Sequence, residues 1–264
     1  MAETHSRGLL SLNSGSQHLT TFVQIPDLNV IEILVRTALD SFILDCQHGM
    51  FSGSTIGPAI AAAAYSDKPA LIRIPVGDFA FASRALDLGA AAIICPMINS
   101  AADARQLVTF VKYPPVGLRS WGPRRALPLS GLSGDLYLQR SNELTQCFVM
   151  IETAEALSNL DEILRVEGVD GVFVGPTDLS VSLTNGRSLA VTSDMVLTAV
   201  ETVAASCRQH GKHAGIFALD AQQAVGHFQR GFNFVALAQD AMFMSQAADS
   251  GCARVRELSN GSVR

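Results

Sequence analysis

The chain has 264 residues, of which 48% are hydrophobic and only 16% are charged, and its formal net charge is −5. A mildly acidic chain with three lysines and no basic run does not suit nucleic acid or an acidic membrane surface, so we expect neither as a partner. An average soluble domain is about 25% charged. The lower value here predicts a large core or a large subunit interface.

Residues 1–17 are rich in Ser and Gly and lack the hydrophobic centre of a signal peptide. We therefore expect a flexible segment there and a single domain over residues 18–264. The five cysteines lie far apart and form no Cys-x-x-Cys pair, which is typical of a reducing, cytoplasmic location. No apolar stretch reaches the ~18 residues that a membrane-spanning helix needs.

Strand-like and helix-like patterns alternate along the chain from residue 20 onward. The apolar runs predict strands at 21–25, 42–46, 70–74, 91–95, 147–151, 171–174, 214–217 and 234–237. Amphipathic patterns predict helices at 29–39, 55–65, 78–88, 101–111, 154–164, 193–209 and 242–258. Eight strands alternating with helices indicate an α/β fold of the (β/α)₈ TIM barrel type. An open doubly wound sheet is the alternative, but no Gly-x-Gly-x-x-Gly follows the first strand.

The segment 113–135 interrupts this alternation with many Pro and Gly residues. It also holds Arg119, Arg124 and Arg125 around the only tryptophan, Trp121. Long loops inside compact domains are usually functional or disordered. We interpret this segment as a lid or substrate loop and count Arg124 among the candidate substrate contacts.

Several polar residues stand where predicted strands end, and in a barrel those ends form the active site. The second strand ends in Asp45 and is followed by His48, and the third strand carries Arg73. The fifth strand ends before Glu152, and Asp178 follows the sixth. Two carboxylates on rigid neighbouring strands can hold a divalent cation, but both could equally cap helices. The spacing alone leaves these two interpretations open.

The lysines bear on the mechanism, because imine-forming aldolases need a lysine on a barrel strand. Lys68 and Lys212 directly precede predicted strands, at the wrong end, and Lys112 follows a helix. Imine chemistry is therefore not expected. An enolate formed here would need a metal ion and Arg73 for stabilisation.

Seven motifs in order along residues 20–245 resemble the HpcH/HpaI aldolase family, the metal-dependent class II pyruvate aldolases. That family includes 4-hydroxy-2-oxoheptanedioate and 2-dehydro-3-deoxyglucarate aldolases. The motifs are LDCQHG, IRIP, LDLGAAAIICPM, YPPVGLRS, MIET, NLDEIL and DGVFVGPTDLS. The resemblance implies a barrel with one Mg²⁺, Mn²⁺ or Co²⁺ ion held by Glu152 and Asp178, and no organic cofactor.

The resemblance also implies roles for residues around that ion. Arg73 would contact the keto oxygen of the substrate, and the backbone amides of Thr177 and Asp178 would hold its carboxylate. His48 would act as the acid/base, with Asp45 and Asp87 as electrostatic partners and Asp87 supplied by a neighbouring subunit. The remaining candidate substrate contacts are Gly175, Pro176 and Met150. Gln47 and Met150 depart from the Glu and Gln that many members carry, which puts the substrate preference in question.

The function implied is reversible cleavage of a 4-hydroxy-2-oxo acid to pyruvate and an aldehyde. One alternative is oxaloacetate decarboxylation at the same metal site, and another is a non-catalytic barrel that binds 2-oxo acids. A CoA-ester lyase would need a basic surface for the CoA phosphates, which the sequence does not indicate.

The final helix carries an apolar stripe at positions 241, 244, 248, 252 and 255, which we expect to dock on the barrel. Met242 and Phe243 fall off that stripe and would need a neighbouring subunit to cover them. By resemblance, the assembly is a homotrimer or homohexamer with exchanged C-terminal helices.

Overall fold

The computed structural model describes Leu12 and residues 17–261 of the chain. Eight parallel strands form one closed barrel in sequence order, and the last strand pairs with the first. This confirms the predicted (β/α)₈ barrel. The flexible segment predicted for residues 1–17 lies outside the described residues except at Leu12 and Gln17.

The strands are short, continuous apolar runs because both faces of a parallel barrel strand are buried. Their bounds are β1 His18–Val23, β2 Phe42–Asp45, β3 Ala70–Arg73, β4 Ala92–Cys95, β5 Gln146–Ile151, β6 Gly171–Val174, β7 His213–Ala218 and β8 Phe234–Gln239.

The helices surround the strands, and six of them begin at a side-chain cap such as Ser100 before the fourth helix. Their bounds are α1 Leu28–Leu34, α2 Ile56–Tyr65, α3 Phe79–Asp87, α4 Ala101–Val111, α5 Ala126–Ser130, α6 Gly134–Leu144, α7 Ala154–Ser158, α8 Leu160–Leu164, α9 Pro176–Leu183, α10 Asp194–His210, α11 Ala221–Gln229 and α12 Asp240–Gly261. Among these described helices none is long and apolar enough to cross a bilayer.

Several helices differ from the prediction made from the sequence, and no bounds were predicted for α11. The segment read as one loop at 113–135 contains α5 and the start of α6. The Gly-Pro pair at 175–176, read as a strand stop, also opens α9, because proline is well tolerated at the first helical position. The single helix predicted at 154–164 is divided at Asn159, where α7 ends and α8 begins.

The barrel interior is filled by large side chains. The Phe234 ring packs against those of Phe148 and Phe173, with centroids 5.5 and 5.8 Å apart. Gly215 lies so close to this stack that a Cβ atom there would be 2.6 Å from the Phe173 ring. Leu12 is also buried in this inner cluster. The interior is therefore a packed core, and only its carboxyl end is free to form a site.

The three lysines tie the connections at the other end of the barrel, where the strands begin. The Nζ of Lys112 is buried and donates to the carbonyls of Asn142 and Thr145 and to the carboxylate of Asp170, each at 2.7 Å. Lys68 donates to the carbonyl of Leu39, and Lys212 donates to that of Val169. These contacts use the lysines in the scaffold, far from the carboxyl ends of the strands.

The last helix, α12, leaves the barrel surface after its first turn. Ala241, Met242 and Phe243 are half-buried, whereas every side chain from Met244 to Asn260 is exposed. The expectation that the apolar stripe docks on the chain's own barrel is therefore wrong. Met244 at 50% and Val255 at 63% exposure are apolar side chains that the described part of this chain does not bury. Exchange of this helix between subunits stays a prediction.

Candidate active site

A cavity of about 340 Å³ opens at the carboxyl ends of the strands. Its walls combine an apolar side of aromatic rings and Met150 with a polar side that carries one arginine, one histidine and one carboxylate. The lining residues are Phe22, Gln24, His48, Arg73, Met150, Phe173, Gly175, Pro176, Thr177, Asp178, Phe217 and Gln239. Seven of the predicted site residues are among them. The prediction of which face carries the site thus agrees with the fold.

Arg73 enters the cavity as the last residue of β3, and Asp45, the last residue of β2, holds it. The two strands pair with these residues side by side. Two hydrogen bonds join them, from Nε to Oδ1 at 2.9 Å and from Nη2 to Oδ2 at 2.7 Å. The guanidinium also lies 4.4 Å from the centre of the Phe22 ring. A planar fork fixed by a carboxylate and an aromatic face is preorganised to donate to a ligand oxygen.

The Asp45 carboxylate is fully buried and remains an anion at neutral pH. Burial by itself would raise the pKa of Asp45. The hydrogen bonds and positive charge of Arg73, together with the His48 N–H and the Gln24 amide, bring that pKa below its usual value. Asp45 is therefore a fixed negative charge that holds Arg73 in one orientation.

His48 lies on the loop after β2, with its side chain exposed at the cavity wall. Its backbone N–H donates to Asp45 Oδ1 at 3.2 Å, and the Gln47 N–H donates to the same atom at 3.1 Å. We expected Asp45 to act as a partner of the imidazole ring. Within the described residues, the contacts of Asp45 to His48 instead run through the backbone, because the Asp45 oxygens already serve Arg73. Asp45 thus positions the backbone of His48 rather than contacting its imidazole ring.

Glu152 directly follows β5 and is 2% exposed. Its Oε1 accepts a hydrogen bond from the Met97 N–H at 2.7 Å. Met97 holds a left-handed backbone conformation, with φ of 57°, at the turn after β4. Burial raises the pKa of Glu152 to about 7; the nearby Asp178 charge acts in the same direction, and the Met97 N–H opposes it.

Asp178 lies in the first turn of α9, which starts at Pro176 with Gly175 as its N-cap. A side chain at position 175 would not fit, because its Cβ would be 2.7 Å from Glu152 Oε2 and 3.2 Å from the Met150 methyl group. This close approach brings the start of the helix directly over Glu152. The N–H groups of the first turn have no intrahelical acceptor, so they are available to an anion.

The geometry decides against the helix-cap interpretation of the two acids. Thr153, not Glu152, caps α7 by accepting the Ala156 N–H. Asp178 stands inside α9 rather than at its N-cap. Neither carboxylate is therefore occupied in a local turn.

The two carboxylates fit a hard divalent cation as oxygen donors. Glu152 is buried beside a second negative charge, an arrangement that a cation would neutralise. Within the described part of the chain, no group of three or more His, Cys, Asp or Glu side chains could enclose a metal ion. A cation held here would therefore keep coordination positions for water and a ligand.

Two predicted site residues, Asp87 and Arg124, do not reach this chain's own cavity, and the supply of Asp87 by a neighbouring subunit stays a prediction. Asp87 ends α3 and accepts a hydrogen bond from Arg119 Nη2 at 2.7 Å, and its carbonyl accepts the Arg125 N–H. Arg124 is exposed on the adjoining loop. Both belong to connections that run from a helix to the next strand, so they lie at the end where the strands begin. The segment 113–125 is therefore not a lid over the chain's own cavity.

Six residues of the site were not found from the sequence. Met97 holds Glu152 through its backbone, and the others line the cavity: Phe22, Gln24, Phe173, Phe217 and Gln239. The glutamines stand at the carboxyl ends of β1 and β8, so a stricter search of all eight strand ends would have included them. Nothing in the residue pattern indicates the conformation of Met97.

The comparisons with known proteins agree with this geometry. The family model for HpcH/HpaI aldolase/citrate lyase matches residues 18–247. A hydroxypyruvate/pyruvate aldolase of Rhizorhabdus wittichii is 36% identical over 246 residues, which cover 93% of this chain and 97% of that protein. A 2-keto-3-deoxy-L-rhamnonate aldolase of Salmonella gallinarum is 33% identical over 253 residues, which cover 96% of this chain and 94% of that protein. The crystal structure of an HpcH/HpaI aldolase from Desulfitobacterium hafniense superposes with a TM-score of 0.85 at 27% identity, covering 92% of this chain and 94% of the other.

Proposed function

The chain belongs to the HpcH/HpaI aldolase/citrate lyase family, and we propose that it is a class II aldolase acting on 4-hydroxy-2-oxo acids. The reaction breaks the C3–C4 bond reversibly and gives pyruvate, or a close 2-oxo acid, and an aldehyde. Both relatives compared above are named as aldolases of 2-oxo acids. The protein is thus a carbon–carbon lyase with small-molecule substrates.

We further propose that Glu152 and Asp178 hold one divalent cation, Mg²⁺, Mn²⁺ or Co²⁺. When bound, such an ion supplies Lewis-acid polarisation of the 2-oxo group and offsets negative charge as the C–C bond breaks. The chain contributes two oxygen donors on rigid elements, one at the end of β5 and one in the first turn of α9. Gly175 lets these two elements approach closely.

Arg73 and the start of α9 bind the two ends of the 2-oxo acid in this proposal. The Arg73 guanidinium donates to the keto oxygen, where negative charge develops as pyruvate leaves as its enolate. The N–H groups of Thr177 and Asp178 bind the carboxylate, helped by the positive end of the helix dipole. Asp45 keeps Arg73 in place, so no reorganisation is needed during the reaction.

His48 is positioned to move the proton. In cleavage it takes the proton from the C4 hydroxyl, and the electrons of that O–H bond form the aldehyde carbonyl as the C3–C4 bond breaks. In the reverse direction it returns the proton to the new alkoxide. Its exposed side chain at the cavity wall can meet a hydroxyl that enters from solvent.

The observation that carries this proposal is the convergence of His48, Arg73, Glu152 and Asp178 at one barrel rim in a chain of this family. The test is pyruvate release from a panel of 4-hydroxy-2-oxo acids, with oxaloacetate in parallel, before and after EDTA treatment. We expect cleavage of at least one hydroxy acid, loss of activity with EDTA, and recovery with Mg²⁺, Mn²⁺ or Co²⁺.

Each alternative gives a different result in the same assay. Turnover of oxaloacetate alone would indicate a decarboxylase, and binding without any turnover would indicate a non-catalytic barrel. Full activity in a sample shown to be metal-free by elemental analysis would contradict the cation site.

A further inference from the structure

Gln24, the residue after the end of β1, is fixed on three sides. Its backbone N–H donates to both oxygens of the buried Asp240 carboxylate, at 3.0 and 3.1 Å. Its carbonyl accepts the Met50 N–H at 2.9 Å. Its side-chain Nε2 donates to Asp45 Oδ2 at 3.2 Å. A glutamine held in this way has one rigid orientation at the cavity wall.

The contact with Asp45 also decides which way the amide faces. An ionised carboxylate can only accept hydrogen bonds, so the NH₂ group must point toward Asp45. The amide Oε1 is then directed elsewhere, and among the described residues no hydrogen bond is made to it. Because Gln24 lines the cavity, this oxygen is an acceptor at the cavity wall that is left without a partner by the described part of the chain.

The position of this acceptor relative to Arg73 indicates which substrate atom it meets. Gln24 Nε2 and Arg73 Nη2 both donate to the same atom, Asp45 Oδ2. The amide and the guanidinium are therefore neighbours separated by one carboxylate oxygen. If Arg73 binds the keto oxygen at C2, the next substrate group along this wall is a substituent on C3.

We propose that Gln24 is a specificity-determining residue that accepts a hydrogen bond from a hydroxyl group on C3 of the 2-oxo acid donor. This inference rests on the proposed aldolase function. The donor substrates of the reaction would then be 3-hydroxy-2-oxo acids, of which hydroxypyruvate is the simplest. The other amide among the residues that line the cavity is that of Gln239, and Met150, Phe173 and Phe217 offer no polar oxygen or nitrogen.

The test is a competition between two donors. The full-length protein with Mg²⁺ receives equal concentrations of pyruvate and hydroxypyruvate and one aldehyde, and the two aldol products are quantified by NMR. The product ratio does not depend on the amount of active enzyme or on metal loading. Gln24→Met keeps the length of the side chain but removes the amide. We expect it to shift the ratio about fivefold toward the pyruvate product, the size of one neutral hydrogen bond.

Gln239→Met is the matched control, since it removes the other cavity glutamine. We expect this variant to leave the product ratio within twofold of that of the unaltered protein. An unchanged ratio in Gln24→Met, or an equal shift in both variants, would overturn the assignment. A Gln24→Met variant that changes the preference between glycolaldehyde and acetaldehyde as acceptor, but not between donors, would also overturn it.

A binding measurement separates this inference from the proposed function. Calorimetric titration with hydroxypyruvate and with pyruvate, each in the presence of Mg²⁺, gives the affinity ratio without turnover. If no aldol product forms with any donor, the aldolase proposal fails. The affinity ratio in Gln24→Met then still decides the role of Gln24, by falling about fivefold or by staying unchanged.

Discussion

Replacing Asp45 by asparagine should affect both the stability and the activity of the protein. Asp45 accepts two hydrogen bonds from Arg73, one from Gln24 and one each from the backbone N–H groups of Gln47 and His48. The exposed fraction is 11% for the Arg73 side chain and 0% for that of Asp45. In Asp45→Asn the guanidinium stays charged and buried, because arginine does not lose its proton near neutral pH.

Breaking a buried ion pair by removing one partner costs about 3 to 5 kcal/mol. We take the lower value, about 3 kcal/mol, because Arg73 retains slight contact with solvent. With a urea m-value of ~3 kcal/mol/M, the unfolding midpoint should fall by about 1 M. Equilibrium unfolding in urea at one fixed protein concentration measures this shift.

The shift should depend on pH in a defined direction. Since the pKa of Asp45 is below its usual value in the folded protein, the carboxylate stabilises the fold above the unfolded-state pKa of about 4. That contribution is lost as the pH falls through the folded-state pKa. The difference between the two proteins should be complete at pH 7 and should shrink below about pH 4.

The same change should lower kcat by about 10²-fold, the usual loss when one donor to a developing negative charge is misplaced. Asp170→Asn is the matched control, because it breaks an ion pair with the buried Lys112 at the opposite end of the barrel. That variant should lose stability while its folded fraction keeps normal kcat/KM. An Asp45→Asn protein with an unchanged urea midpoint and unchanged kcat would refute this reasoning.

Three further predictions follow from the site and the scaffold. His48→Ala should reduce aldol cleavage by about 10²- to 10⁴-fold. Oxaloacetate decarboxylation should lose less activity, because that reaction removes no hydroxyl proton. Equal losses of the two activities in steady-state assays would indicate a structural histidine. Borohydride reduction in the presence of pyruvate should leave the protein mass unchanged, since Lys68, Lys112 and Lys212 all donate to carbonyls away from the cavity. A stable adduct in the mass spectrum would contradict a class II mechanism. Light scattering at assay concentration should show a trimer or hexamer, the assembly that the family resemblance implies. The exposed Met244 and Val255 on α12 favour burial between subunits. An active particle of about the chain mass, 28.0 kDa, would argue against an obligate assembly.

The barrel could be predicted from the sequence because its strands are buried on both faces. Runs such as Phe42–Asp45 and Gly171–Val174 are continuous and apolar, and turn residues separate them from the helices. Helix α6 gave a much weaker signal, since only Tyr137 and Ser141 along its length are buried. Helix α9 was not predicted because it begins with Pro176, and a proline after a glycine is typical of a turn.

The main site residues could be predicted because the fold gathers strand ends at one rim. Asp45, Arg73 and Glu152 needed only the strand positions and the rule that function lies at the carboxyl ends. Their contacts could not be predicted, since the bond from Met97 to Glu152 depends on one backbone angle, and the orientation of Gln24 depends on tertiary packing. The prediction for Arg124 failed for a different reason. The composition of segment 113–135 suggested a substrate loop, but a connection from a helix to the next strand lies at the opposite end of the barrel.

All three lysines donate hydrogen bonds to other parts of the chain, which affects how fast they react with amine reagents. Acylation requires a free, uncharged amine, and Lys112 is tied to three oxygen acceptors and almost completely buried. Lys68 and Lys212 are each tied to a carbonyl of a neighbouring connection. Labelling of Lys112 must therefore wait for the base of the barrel to open, as amide exchange waits for local unfolding. Lys68 and Lys212 are partly exposed. The rate at which an N-hydroxysuccinimide ester modifies Lys112, relative to these two lysines, would measure how often that base opens.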